Sequence, residues 1–499
     1  MSTHNDNKLL NNTINRRLNL INILAKNSDW FFLNELANML NVSERVLKND
    51  LAYFRKEVDD FTIYSSRKGI KLAFKDNKGL NTISKKILIS VVPFQVLEKI
   101  FLNETKSVNQ LADELFISVS TLYRIIKDIN FKLKKYDIRI NTNPCMVIGN
   151  EKKIRYFAYQ YFHERYSLLE WPFKDLDESI INNFLKIFID FNDNSTYYIS
   201  LTTLKSVVMI NLIRHKHKHY INTNYIKQNF DDIHVLFDED MDAFLNFENS
   251  TNHTIDDYFI KQIFYPYVQD SFFYDYSLLK KAAKLNKLYE SEIVYLSKFL
   301  DGISKKFEIP LTIKNKNQII LILHNTLFLE DQEPRSGYIV YDEFGHFVET
   351  IEKEYPVFYK DLYEGISNYR KLMQVPYDEK RKHLLIYTTF IHWRKLIPCL
   401  RKKYKSIKTL IISDYNISHA HLLEDFLNQE FPNNLKTEIF SEDLLNQSLL
   451  ENLPHEIIIT NFPFPSLKDK ELICIQNLPT NQDITKIQSA ISRILTNRK

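Results

Sequence analysis

The chain has 499 residues, too many for one hydrophobic core, and its 44% hydrophobic and 13% aromatic content is that of a globular protein, not a disordered one. Seven glycines and three scattered cysteines (Cys145, Cys399, Cys474) argue against glycine-rich phosphate loops, a paired-cysteine zinc site and a disulfide framework, and predict a mostly helical protein of the reducing cytoplasm. The net charge of +4 is uneven: residues 1–150 hold 23 Lys/Arg against 15 Asp/Glu, so this first third is basic enough to meet phosphates while the remainder is slightly acidic.

The first segment, MSTHNDNKLLNN, is polar and lacks the apolar core of a signal peptide, and no apolar run reaches the ~20 residues that a membrane span needs. Leu18, Ile21 and Leu24 lie at helical spacing and predict a helix over 15–29. Helices over 33–40 and 43–57 follow, and then FTIYSSRKGIKLAF (61–74) alternates like a β-hairpin. The plan then repeats. LNELANMLNVS (33–43) recurs as VNQLADELFIS (108–118), pairing Asn34 with Asn109, Leu36 with Leu111, Ala37 with Ala112, Leu40 with Leu115, Ser43 with Ser118 and Leu47 with Leu122. Helices near 84–103, 108–115 and 118–134 lead into a second hairpin, Ile138–Ile148, which has NTNPC (141–145) as its turn and ends at Gly149.

Each copy has the grammar of a helix-turn-helix followed by a wing. The small Ala37 and Ala112 sit where two helices approach closely, and Ser43 and Ser118 cap the second helix of each copy. Asn41 tolerates a left-handed backbone and Phe116 does not readily do so, which predicts that the two turns differ.

From 151 to 380 the periodicity is helical, with candidates at 151–168, 177–191, 198–218, 224–236, 238–247, 255–274, 282–308, 316–331 and 355–373, enough for two five-helix bundles joined near 275–282. From 383 short apolar runs alternate with helical patterns. LLIYT (384–388), KTLIISD (408–414), KTEIFS (436–441) and EIIITNF (456–462) read as strands, and 391–404, 417–430, 442–450 and 482–497 as helices, which predicts a small α/β domain with a parallel sheet.

In the first copy Leu47, Leu51 and Phe54 face inward, leaving Ser43 and Glu44, Arg45, Lys48 and Asn49 outside. In the second, Leu122, Ile126 and Ile129 face inward, and Ser120, Thr121, Tyr123, Arg124 and Lys127 face out. Arg and Asn suit bidentate contacts to guanine and adenine edges, whereas Lys48, Lys56, Lys127, Arg67 and Lys68 suit phosphates. RHKHKHY (214–220) concentrates three histidines. His215 and His219 would share a helical face, but no HExxH or other partner completes a metal site, so neither metal nor cofactor is expected. Neutral imidazole is a competent phosphoryl acceptor, with Arg214, Lys216 and Lys218 at hand to stabilise the charge. His324, in QIILILHNTLFLE, is the corresponding residue of the second bundle.

The layout resembles the Mga/AtxA family of Gram-positive virulence regulators, on WFFLNELANMLNVSERVLKNDL (30–51) and KSVNQLADELFISVSTLYRIIKDIN (106–130), with STLYR (120–124) the most specific string. The resemblance implies a mainly α, multi-domain chain. Two winged helix-turn-helix domains (1–76 and 77–150) precede two helical regulation domains of the sugar phosphotransferase system (151–277 and 278–381) and an α/β domain like enzyme IIB (382–499). It implies a cytoplasmic transcription activator that binds double-stranded DNA, pairs as a homodimer or larger homo-oligomer, and is tuned by a phosphocarrier protein acting on His215, His217, His219 or His324. A catalytic enzyme IIB carries a phosphorylated Cys after its first strand. Here LLIYT runs into Thr388, Thr389 and Phe390, so no phosphate transfer is expected. The rival readings are an RNA-binding antiterminator with the same regulation domains and a working sugar-phosphotransferase component.

Overall fold

The structure is a computed structural model that describes residues 12–26, 30–104, 106–166, 169–190, 201–227, 241–329, 339–340, 342–441 and 445–497. Its residues fall into two compact units, the first made of 1–281, 321–347 and 378–385, the second of 282–320, 348–377 and 386–499.

The first head comprises α1 (Asn12–Lys26), α2 (Leu33–Met39), α3 (Glu44–Glu57) and the antiparallel hairpin β1 (Phe61–Ser66) and β2 (Gly69–Phe74). Leu36, Leu47, Leu51 and Phe54 are buried beneath α2 and α3. Buried Asp50 on α3 accepts from Arg16 Nε at 2.6 Å and Arg17 Nε at 2.9 Å, which clamps α1 to the helix it supports. Phe31 pairs with Ile70 in an isolated antiparallel bridge beside the wing, and Gly69 is required there: its φ is +121°, and a Cβ would meet Phe31 O at 2.3 Å.

The second head repeats this design with α4 (Leu80–Ser90), α5 (Val92–Leu102), α6 (Val108–Glu114), α7 (Val119–Leu133), β3 (Ile138–Thr142) and β4 (Cys145–Gly149). The single helix expected over 84–103 is two, because Pro93 has no N–H to donate and the backbone turns extended at Val91. Buried apolar residues Leu111, Ala112, Leu122, Ile126, Ile129 and Leu133 reproduce the inward face read from the sequence. Asn130 on α7 acts as a strand surrogate, accepting from Ile140 N at 2.6 Å and donating to Ile140 O at 2.9 Å.

The two turns do not differ. Asn41 (φ 52°) and Phe116 (φ 55°) are both left-handed. Val42 N bonds Ala37 O at 2.9 Å, and Ile117 N bonds Ala112 O at 3.1 Å; Asn41 N to Asn38 O and Phe116 N to Asp113 O both measure 3.1 Å. The backbone hydrogen bonds of the turn override the side-chain preference of Phe116, which is left 96% exposed.

Further along the first unit come α8 (Glu151–Arg165), α9 (Glu178–Asp190), α10 (Leu201–Lys216), α11 (Met241–Thr251) and α12 (Asp257–Ile263). The helix expected over 255–274 stops at Ile263, where buried Asn211 on α10 donates to the carbonyls of Ile263 (2.8 Å) and Tyr265 (2.7 Å), ahead of Pro266. The helix expected at 224–236 falls mostly outside the described residues, and its described part, 224–227, is not helical. The chain continues through α13 (Tyr276–Ala283), α14 (Lys287–Phe307), α15 (Ile313–Phe328), α16 (Glu343–Glu354), α17 (Pro356–Leu372), α18 (Glu379–His392) and α19 (Leu396–Lys405). The expected helix 282–308 is interrupted after α13, and Asn286 caps α14 by accepting from Leu288 N at 3.0 Å. In the second unit α14 and α17 approach closely at Gly365, where a Cβ would strike the Phe299 ring, and Tyr369 donates to buried Glu292 at 2.5 Å.

The run LLIYT (384–388) is not a strand: it lies inside α18. A short apolar run is ambiguous between buried strand and buried helix, and the helix-starting Asp378, which accepts from Arg381 N at 3.2 Å, decides it. The sheet of the second unit begins instead at β5 (Ile407–Ile412), followed by α20 (Ile417–Glu430), β6 (Leu435–Ile439), α21 (Gln447–Asn452), β7 (Ile457–Thr460), β8 (Glu471–Cys474) and α22 (Asn481–Asn497). All pairings are parallel in the order β6-β5-β7-β8. Ile407, Ile411, Ile457, Ile459 and Ile473 pack with α20 and α22 on one face, and Leu410, Ile412 and Ile458 with Leu450 of α21 on the other. Burial on both faces explains the unbroken isoleucine runs.

Because Asn accepts a left-handed backbone more readily than Phe, Phe116→Asn should raise the unfolding free energy by about 0.5–1 kcal/mol in urea denaturation, an increase that the reciprocal Asn41→Phe should reverse in sign.

Candidate DNA interface and its histidine-bearing support

Ser43 and Ser118 start the two exposed helices in the way the sequence suggests. Ser43 Oγ accepts from Val46 N at 3.5 Å and Ser118 Oγ from Thr121 N at 3.1 Å. Arg45, Lys48 and Asn49 on α3, and Tyr123, Arg124 and Lys127 on α7, are exposed, as are Arg67 and Lys68 at the tip of the first wing. Lys48 stands 4.0 Å from Glu44, an exposed i,i+4 pair too weak to withdraw it from a phosphate. Ser120 and Thr121 are less free: their hydroxyls lie 2.9 and 2.8 Å from Ser118 Oγ and complete the cap. Arg55, not singled out in the sequence, reaches from α3 to Ser65 of the wing at 2.5 Å.

The histidine run does not stay helical. α10 ends at Lys216, Lys218 is left-handed (φ 64°), and His219 N closes the end by bonding Arg214 O at 3.0 Å. His215 and His219 therefore do not share a face, and the helical two-ligand arrangement does not form. His215 turns into an aromatic cluster, with ring centroids 4.8 Å from His253 and 5.1 Å from Tyr220 and Phe259; its Nδ1 is buried without a partner. Burial, with the nearby His253 and Arg155, depresses its pKa to about 4. Burial also lowers that of half-buried His217. His324 lies in the core at 0% exposure, its Nε2 3.0 Å from Ser271 O and its ring against Phe273 and Phe328.

Arg214 does not await a phosphoryl group. It is fully buried and committed on every side. Its guanidinium holds Glu104 through Nη1, Glu151 through Nε (3.0 Å) and Nη2 (2.7 Å), and the wing carbonyl Val147 O through Nη2 (3.0 Å). His219 Nε2 lies 2.6 Å from the other oxygen of Glu104. Arg155 continues the chain, bonding Glu151 at 3.0 Å, Gln262 O at 2.7 Å and His219 O at 3.2 Å. Burial alone would raise the pKa of Glu151, but Arg214 and Arg155 outweigh it and hold the carboxyl below its usual range. Glu104 precedes α6 and Glu151 opens α8, so one cation joins the second head to the histidine-bearing end of α10. Its partners lie 110 and 63 residues away, a separation that leaves no local pattern to read.

Three family models match the chain: an M protein trans-acting positive regulator (MGA) HTH domain over 12–70, the Mga helix-turn-helix domain over 76–162, and the M protein trans-acting positive regulator (MGA) PRD domain over 172–396. A protein of Streptococcus pneumoniae named as a trans-acting regulator is 31% identical over 480 residues, covering 95% of this chain and 96% of that one. The chain belongs to the Mga family of regulators. Mga-type relatives in Bacillus anthracis include the capsule synthesis positive regulator AcpA, 25% identical over 174 residues (34% of this chain, 36% of the relative), and an anthrax toxin expression trans-acting positive regulator, 25% identical over 172 residues (34% and 36%). In this chain two helix-turn-helix domains precede a PRD region, the arrangement of a DNA-binding transcriptional activator under PRD control. No described helix is long and apolar enough to cross a membrane.

Replacing Arg214 by Met should cost about 3–5 kcal/mol, because Glu104 and Glu151 are left buried without their cation; chemical denaturation followed by tryptophan fluorescence measures it. His215 should titrate near pH 4 by NMR. A native pKa below the unfolded value of about 6.5 means that its stabilising contribution is complete above that pH and is lost as the pH falls toward 4. His215→Phe should flatten that part of the pH–stability curve.

Proposed function

We propose that this regulator grips double-stranded DNA with both heads, α3 and α7 lying in successive major grooves, and that phosphorylation of the His217–His219 loop by a phosphotransferase-system phosphocarrier alters the grip of the second head. The observation that carries this reading is the pair of heads with matching turn hydrogen bonds, each presenting an exposed polar ridge above a buried apolar one. Arg45, Asn49, Tyr123 and Arg124 are the base-reading candidates; Lys48, Lys127, Arg67 and Lys68 would neutralise phosphates, with Ser43, Ser120 and Thr121 setting the start of each reading helix. Phe116, exposed two residues before the cap of α7, offers the second head an apolar contact for a thymine methyl or a deoxyribose.

Of the four candidate acceptors, His217 and His219 are favoured: His215 faces aromatic rings and His324 is enclosed. A phosphoryl group on His219 would stand against the Glu104 carboxylate and oppose the pairing that holds the second head. We read the chain as a non-enzymatic cytoplasmic protein that pairs with itself, so that four reading helices share one site. Its targets, like those the Bacillus relatives are named for, would include virulence genes. The sugar-phosphotransferase reading gains nothing from the corrected sheet, since the residue after β5 is Ser413, not Cys.

Arg124→Ala should weaken promoter binding by about 1–3 kcal/mol and relax sequence preference, and Lys127→Ala should lower affinity evenly while reducing the salt slope by about one. Unchanged binding by both variants in fluorescence anisotropy would remove α7 from the groove. With phosphoenolpyruvate and the phosphotransferase proteins, the wild type should become labelled and the His217→Ala/His219→Ala double variant should not. Label retained by that variant would exclude these acceptors.

A further inference from the structure

The sheet of the second unit carries a crevice that DNA reading does not use. From β5 the chain crosses by α20 to β6 at one edge, then returns by α21 past β5 to β7. The direction of winding therefore reverses between β5 and β7, and the carboxyl ends of those strands open a crevice of the kind in which open α/β sheets hold ligands. Asp414 and Tyr415 line it from β5, Asn461 from β7, Gln476 and Asn477 from beyond β8, and Thr480 and Gln482 from the start of α22.

The floor of the crevice is prearranged. Asp414 N donates to Asn461 Oδ1 at 3.0 Å; Asn461 Nδ2 donates to the Asp414 carboxylate and to Asn477 Oδ1 (2.9 Å); Asn477 Nδ2 donates to Tyr415 OH at 3.1 Å. His419 ties the rim together, its Nδ1 2.8 Å from Ser413 Oγ and its Nε2 2.8 Å from Asn477 O. These contacts decide the ligand class by elimination. The cation of the crevice, Lys486, lies 2.8 Å from Asp483, whose carboxylate also accepts from Thr480 and Gln476 N, and Asp414 adds a second carboxylate, so a phosphate would meet more negative than positive charge there. A divalent cation is disfavoured too, because the Asn461 amide already points its hydrogens between the two oxygens that would ligate it. Carboxamides, the exposed carboxylate of Asp414 and hydroxyls remain, beside Tyr415 at 65% and Leu478 at 68% exposure. Alternating donors and acceptors below an exposed aromatic face suit a ring that carries vicinal hydroxyls on its edge and C–H groups on its face.

We propose that this crevice binds a neutral sugar, a hexose or a disaccharide of hexoses, Asp414 and the carboxamides engaging its hydroxyls and Tyr415 stacking on its ring. The site is independent of the DNA and phosphohistidine readings, which stand if it fails. Saturation-transfer NMR on the full-length protein with glucose, galactose, maltose and lactose tests it, with inorganic phosphate and magnesium titrated by calorimetry. At least one sugar should bind saturably with a dissociation constant on the order of 1 mM, and Tyr415→Ala and Asp414→Ala, both exposed positions, should each weaken it about tenfold. Absence of saturable transfer from all four sugars, binding undiminished in both variants, or phosphate or magnesium binding lost in those variants would overturn the proposal.

Discussion

One buried guanidinium decides how the DNA-binding and regulatory parts of this chain meet. Arg214 has no exposed surface, and its partners come from the segment before α6, from the second wing and from the first turn of α8. Desolvating so much charge gives little net stability compared with an apolar core of the same shape. What the arrangement gives is geometry: an Arg held by two carboxylates and a carbonyl accepts one orientation of the three segments. His219 stands on the far oxygen of Glu104, so an imidazole of the histidine run touches the same carboxylate that the Arg uses.

The heads obey a more local logic. Their serine caps, inward leucines and left-handed turns are specified within some twenty residues, and the same backbone bonds recur in both copies although the side chains at the turn differ. Phe116 shows the cost of that insistence: a bulky residue occupies the conformation that Asn41 adopts easily, and its ring is left in solvent. A bulky residue held left-handed with its ring in solvent is a local cost that no apolar contact of its own side chain offsets.

What could be read from the sequence follows the same division. The duplicated heads, the inward faces Leu47–Leu51–Phe54 and Leu122–Ile126–Ile129, and three of the four parallel strands rest on short-range periodicity and were legible. LLIYT was not, because a buried helix and a buried strand can share one apolar run and the cap at Asp378 lies outside it. β8 escaped because its four residues carry too little pattern, and α12 came out shorter than its apolar run because Asn211, some fifty residues away, takes up the carbonyls that a longer helix would have used. The supposed phosphate-stabilising role of Arg214 failed for the same reason: its charge was visible, its distant carboxylates were not.

The junction of the second wing with α8 has a mechanical meaning. Gly149 closes β4 and Glu151 opens α8, so a single residue, Asn150, separates the two, and its side chain is occupied as the cap on Lys153 N. Such a joint has no slack, and the second head and α8 must turn as one lever.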